Sequence, residues 1–184
     1  MNNINNIADY VICTAYKRKE EFLSHGKLQK LLYYIQAWSY GITGKPLFDG
    51  AFQAWVHGPA NVEIFHRFKD KGKTLYSEIT IQDIINMNPV INNPENREVV
   101  DLVLGNYLKY SGADLERISH SEKPWREARD NCGTWDRCEK EITPASMRAF
   151  YGARWKKLCR KHNRRTHMVS LQRYILPLNL KWVS

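Results

Sequence analysis

No stretch of this chain approaches the roughly 18 consecutive apolar residues that a helix needs to cross a bilayer. Its start, Met1-Asn2-Asn3-Ile4-Asn5-Asn6-Ile7, has neither the basic opening nor the apolar block of a secretion signal. A cytoplasmic protein is the expectation. Cysteine is scarce: Cys13, Cys132, Cys138 and Cys159 are the whole supply in 184 residues. Cys13 sits among apolar residues, where a buried free thiol is the ordinary reading, so no disulfide framework is expected. The five-residue gap between Cys132 and Cys138 is also not a usual zinc spacing. Internal repeats and low-complexity tracts are missing.

Acid is absent from residues 152–184, where no Asp or Glu occurs. Nine of the 28 lysines and arginines fall there, leaving 19 basic against 19 acidic residues in 1–151. The formal net charge of +9 is therefore a property of the tail, and any nucleic-acid argument from overall charge is an argument about the tail.

What is present is a packable chain. Aromatic residues make up 12% of it, six of them tryptophan, which a disordered sequence would lack. The length fits one domain, since domains commonly run to about 100–150 residues and can be larger. Residues 27–59 organise the rest. Leu28, Leu31, Leu32, Ile35 and Trp38 recur at helical spacing and give an apolar stripe more than about 100° wide, so a central helix is expected from about Lys27. Gly41 and the turn Thr43-Gly44-Lys45-Pro46 stop it. Phe52, Ala54 and Val56 then alternate with Gln53, Trp55 and His57, the period of a short strand. Gly58-Pro59 ends that strand, with Pro59 suited to the first turn of the next helix.

The remaining segments read mostly as helices. Ile4, Ile7, Ala8, Val11, Ile12 and Ala15 form a first amphipathic helix, and Val62, Ile64, Phe65 and Phe68 face the core from a third. Tyr76 to Ile81 is expected to pair with the strand at 52–57, and Thr80 with Asp83 opens a short helix through Ile84, Ile85 and Met87. Asn86 to Asn96, with Pro89 and Pro94, is a loop. Val99, Leu102, Val103, Tyr107 and Tyr110 share one side of a longer helix closed by Ser111-Gly112. Short helices follow over Ala113 to Ser119 and from Pro124, and Asp130 to Glu141 is a loop. Thr143-Pro144 opens a last helix whose face, Met147, Tyr151, Trp155, Leu158 and His162, runs into the basic tail. The fold class is mainly α, a compact helical domain with a short β-strand pair or hairpin.

Four segments carry a resemblance. Lys27-Leu28-Gln29-Lys30-Leu31-Leu32-Tyr33-Tyr34, Gly44-Lys45-Pro46-Leu47-Phe48, Ala54-Trp55-Val56-His57-Gly58-Pro59 and the distant Leu115-Glu116-Arg117-Ile118-Ser119-His120-Ser121-Glu122-Lys123-Pro124-Trp125 together resemble the Panacea domain, a family of phage-associated and bacterial antitoxins. The resemblance covers roughly residues 4–151. It implies a protein that binds a cognate toxin, usually encoded beside it, and occludes it by protein–protein contact. Toxins differ across the family, so the domain does not name the toxin. Family members often end near the helix after Pro144, whereas this chain adds a basic stretch. The division expected is thus a Panacea-like domain over 1–151 and a basic extension over 152–184.

His57 and His120 are the obvious candidates for chemistry, but imidazole does little without a positioned second group, and the sequence offers no compelling nucleophile or metal partner. No catalytic residue, metal or cofactor is expected. Trp55, His57, Gly58, Pro59, His120, Pro124 and Trp125 are instead the motif positions for toxin binding. Trp55 and Trp125 suit a core at least as well as an interface. Arg154, Lys156, Lys157, Arg160, Lys161, Arg164 and Arg165 form the basic extension. Its partner is open: the toxin, nucleic acid, another acidic or anionic surface, or solvent alone. Self-association of the domain is likewise left open. A metal-dependent enzyme built from His57, His120 and the cysteines is the contrasting class.

Overall fold

Short polar side chains decide where the helices begin. The computed structural model describes residues 2–20 and 22–161, and in it Asn3, Ser24, Asn61, Asn93 and Ser111 each accept a backbone N–H from the first turn they precede. Such a cap is worth about 1 kcal/mol. They open α1 (Ile4–Lys17), α2 (His25–Thr43), α3 (Val62–Lys69), α4 (Pro94–Tyr107) and α5 (Gly112–Ser121) respectively. α6 (Lys123–Ala128) has a proline in its first turn and no side-chain cap, and α7 (Pro144–Lys161) starts where Thr143 Oγ1 accepts the Ser146 N–H at 3.2 Å. Between α2 and α3 lies an antiparallel hairpin of β1 (Gln53–Trp55) and β2 (Gly58–Ala60). The expected mainly α domain with a short strand pair is what forms.

α2 is the axis. Except for Gly26, every residue from His25 to Tyr40 is buried, because α1, α4, α5, the hairpin and above all α7 pack around it. Its polar residues bind neighbouring backbone. Gln36 accepts the N–H groups of Leu47 and Phe48 at 2.9 and 3.3 Å and donates to Phe48 O at 2.8 Å. Gln29 accepts Asn61 N–H at 2.8 Å and donates to Asn61 O at 3.1 Å. One glutamine thus fixes the turn after α2 and the other fixes the exit of the hairpin. Buried amides satisfied on both ends set position as well as adding stability. Tyr33, Tyr34, Tyr107 and Tyr151 fill the space between α2, α4 and α7, and Trp38 donates its indole N–H to Tyr107 Oη at 2.9 Å.

Several sequence expectations are corrected. Pro59 does not begin α3: it lies in β2 opposite Ala54, and Asn61 caps the helix. Gly58, at φ 92°, turns the chain back on itself after Val56-His57, so Gly58-Pro59 starts a second strand where a stop was expected. The partner of β1 is therefore its own hairpin mate. Residues 76–81 lie elsewhere, with Glu78 bridged to Ser24 and Ile79 N–H donated to Leu23 O at 2.8 Å. On its other edge β1 meets residues 140–142, through Ala54 N–H to Lys140 O and Ile142 N–H to Phe52 O.

The loop after residue 86 ends at Asn93, because Pro94 occupies the first turn of α4. Ser111-Gly112 opens α5 instead of closing α4. The expected helix at 81–87 is a single 3-10 turn, Ile81–Asp83, with a reciprocal cap between Thr80 and Asp83. Ile85 and Met87 are exposed, and the segment is held by Asp9 of α1, buried and paired with Arg67, which accepts Ile85 and Asn86 N–H at 3.1 and 2.8 Å. Cys13 is half-buried, outside the core, and Cys132 and Cys138 are joined in a disulfide against the expectation of none.

Candidate functional site

Two of the four motif segments, some sixty residues apart in sequence, meet at the hairpin. Trp125 of α6 donates its indole N–H to Trp55 O at 3.2 Å, and Arg129, just past α6, donates to Ala54 O at 2.9 Å. Ala54, whose own N–H goes to Lys140 O, presents that carbonyl on the edge of β1 turned away from β2. Arg129 is 6% exposed and its other amino group is held by the carbonyls of Gly133, Thr134 and Asp136, so a buried guanidinium clamps the disulfide-closed loop to the strand. Trp135, at the tip of that loop, is 83% exposed.

α5 supplies the opposite wall. Glu116, Ser119 and His120 fall on the turn facing the hairpin, at the i, i+3, i+4 spacing that puts side chains on one helix face. Glu116 Oε1 lies 3.4 Å from His57 Nδ1, a half-exposed pair at the tip of the hairpin. Ser119 is buried against Gly58 and its hydroxyl donates to Glu116 O at 2.8 Å. His120 stacks on Trp125 with ring centroids 3.9 Å apart and planes within 16°. Burial lowers the His120 pKa; Glu116 opposes that, while Lys30, Arg129 and His57 reinforce it. Beneath Gly58 runs the side chain of Lys30, 2% exposed, whose pKa burial lowers to about 8. The cluster thus brings Lys30, His57 and His120 beside one acid, Glu116, with Arg129 acting on His120.

The sequence-selected positions are therefore brought together. Trp55, His57 and Gly58 form the hairpin edge, Pro59 is buried in β2, Pro124 is buried at the start of α6, and His120 with Trp125 closes the far side. Trp55 and Trp125 are both partly buried. Trp55 meets Phe65 edge-on at 4.8 Å, and Trp125 packs on the margin of the core. Sequence reasoning did not single out Lys30, Glu116, Ser119 or Arg129. Glu116 and Ser119 carried a signal in their helical spacing to His120; Lys30 carried none, standing in an apolar run. Among the described residues no group of three or more His, Cys, Asp or Glu is placed to hold a metal, and Cys132 and Cys138 are bonded to each other.

Of the basic extension, Lys156, Lys157 and Arg160 project from α7 into solvent. Arg154 turns inward to Glu122 at 2.5 Å, and α7 runs through residue 151 without a break. Lys161 is the last described residue of α7, and His162, Arg164 and Arg165 lie outside the described residues. No helix among the described residues is long and apolar enough to cross a membrane.

Residues 28–126, more than half of the chain, match the family described as "Antitoxin SocA-like, Panacea domain". Antitoxin SocA of Caulobacter vibrioides (strain NA1000 / CB15N) is 28% identical over 118 residues, covering 61% of this chain and 63% of that protein. The chain thus spans just under two thirds of the length of the curated relative it matches. No solved structure matches.

Proposed function

We propose, from the premise that this chain belongs to the SocA-like Panacea family of antitoxins, that it neutralises a cognate toxin by binding it directly across the face made by the hairpin, α5 and α6. The observation that carries this reading is the convergence of two distant family motifs on one partly exposed surface. Residues that served packing alone would be sunk in the core. Here His57 is half exposed, and the stacked pair of His120 and Trp125 borders it. Aromatic and cationic side chains at the centre of a patch are the usual bearers of binding energy. The protein performs no reaction in this reading; it covers the toxin.

Co-expression tests it. The product of an adjacent reading frame, harmful alone, is tolerated with this chain and co-purifies with it. His57→Ala weakens that complex about tenfold, while stability stays within about 1 kcal/mol of wild type because its contact with Glu116 is exposed. A wild-type chain that neither protects nor associates sinks the proposal.

A second reading is favoured by one feature, the exposed Lys156, Lys157 and Arg160 on a helix continuous with the domain and followed by acid-free sequence. We take 1–151 as the toxin-binding domain and 152–184 as an extension that contacts nucleic acid or the toxin. Binding to duplex DNA would then weaken steeply with salt, by roughly 0.9 in log–log slope per phosphate neutralised. Deleting residues 166–184 should reduce that slope. An unchanged slope and unchanged neutralisation would leave the extension without this role.

A further inference from the structure

α2 buries two lysines, and the fold treats them differently. Lys27 is 2% exposed and its ammonium meets the Glu20 carboxylate at 2.5 Å. Lys30 is equally buried, yet among the described residues no carboxylate or hydrogen-bond acceptor holds its Nζ. Its carboxylate neighbour Glu116 acts on it through space and is itself engaged with His57. The side chain of Lys30 is buried along its length and its ammonium has no counter-ion of its own, so burial works against the charged form and lowers its pKa to about 8.

Gly58 packs directly against Lys30 and Ser119. A Cβ on Gly58 would sit 2.8 Å from Lys30 Cε, 3.5 Å from its Nζ and 3.1 Å from Ser119 Oγ. Gly58 is therefore required twice, by its φ of 92° and by the lysine passing under it. A buried unpartnered polar atom lies in the same cluster: His120 Nε2 makes no hydrogen bond. The described groups thus offer spare donor capacity and one acid, Glu116, already paired. One negative charge matches one ammonium that lacks a counter-ion, whereas the second charge of a dianion such as phosphate would add to the repulsion from Glu116.

We infer that Lys30 is the floor of a recognition site for a carboxylate, the side chain of an aspartate or glutamate that the partner protein inserts between the hairpin turn and α5. Seating that carboxylate pairs Lys30 as Glu20 pairs Lys27, and forms the buried charge-assisted bond that fixes the register of the complex. The inference rests on the toxin-binding reading for the identity of the partner, and its test is built to separate the two.

Two measurements on the full chain decide it. In the first, NMR of the lysine Cε and Nζ signals is followed as propionate, a monocarboxylate the size of a glutamate side chain, is added, with inorganic phosphate at matched ionic strength beside it. Propionate shifts the Lys30 signal saturably and phosphate does not. No shift, or an equal shift with phosphate, overturns the assignment. In the second, Lys30→Met weakens the complex with the co-expressed toxin at least tenfold while its Tm is no lower than wild type, since a buried unpaired charge has been removed. Should K30M bind as wild type does, the carboxylate site is overturned and the antitoxin reading stands. If wild type binds no adjacent product, the antitoxin reading falls, and the propionate titration still decides whether Lys30 receives a carboxylate.

Discussion

Replacing Gly41 by alanine lowers stability by about 3 kcal/mol, a fall in Tm on the order of 6–12 °C for a chain of this size. Local preference points the other way. Gly41 is inside α2, and alanine there is favoured by up to about 1 kcal/mol over glycine in an isolated helix. Tertiary contact decides the sign. A Cβ at this position would stand 2.6 Å from Tyr151 Cβ, 2.7 Å from Tyr151 C and 3.0 Å from Gly152 N, and two of those three atoms are backbone of α7. Backbone cannot rotate away as a long side chain can. α7 must back off, and Tyr151 then loses its edge contacts with Tyr33, Tyr34 and Trp38, the seam of the core. Gly152→Ala is the internal control. Its Cβ would meet nothing nearer than Gly41 O at 3.7 Å, an ordinary contact, so helix propensity alone acts and the variant is neutral to about 1 kcal/mol more stable. Thermal unfolding of the two variants checks both signs, and a G41A variant as stable as G152A would show that the two helices do not pack this closely.

That contrast also marks what the sequence could disclose. The stripe of Leu28, Leu31, Leu32, Ile35 and Trp38 made α2 legible, because one buried face is enough to set a period. That the opposite face is buried as well was not legible. Gln29 and Gln36 sit on it, and their partners are backbone atoms of Asn61, Phe48 and Leu47 that periodicity cannot locate. Gly58-Pro59 was misread for a related reason. A glycine before a proline stops a strand under local rules, and a proline after a turn suits a helix start. Here the positive φ of Gly58 reverses the chain into β2, where Pro59 needs no N–H. Pro94 was the opposite error: counted as loop, it is the helix start that the same rule describes.

The candidate site divides likewise. His57, His120 and the two tryptophans stood out by residue type. The disulfide did not, since two half-cysteines with five residues between them fit no metal pattern and pairing depends on a loop conformation held by Arg129. Lys30 became visible only when the hairpin was placed over α2.

Arg154 was grouped with the basic tail on charge alone, and its removal should be among the costliest single changes in the chain. Its guanidinium is 2.5 Å from Glu122, an acid of the Leu115–Trp125 segment, whose carboxylate is 2% exposed and also accepts the Tyr151 hydroxyl at 2.5 Å. The same guanidinium covers the Phe150 ring at 4.0 Å. Arg154→Ala strips a buried carboxylate of its counter-ion, a loss of about 3–5 kcal/mol at neutral pH. The pH dependence identifies the cause. Burial already raises the Glu122 pKa above the ordinary carboxylate value, and Arg154 is the main influence lowering it. Without Arg154 the folded-state pKa climbs further. The folded variant then holds a proton that the unfolded chain has released, and its stability falls as pH rises from about 4.5 through that elevated value. Measured against wild type at each pH, the deficit of R154A is therefore largest at pH 7 and above and shrinks toward about pH 4.5 as Glu122 takes up its proton. In a Glu122→Gln background the residue cannot titrate, so the pH-dependent part of the deficit vanishes. An equal deficit at both ends of the range would mean that Arg154 acts through Phe150 packing and not through Glu122. The pairing also ties α7, which carries Lys156, Lys157 and Arg160, to the segment between His120 and Trp125 in which Glu122 lies.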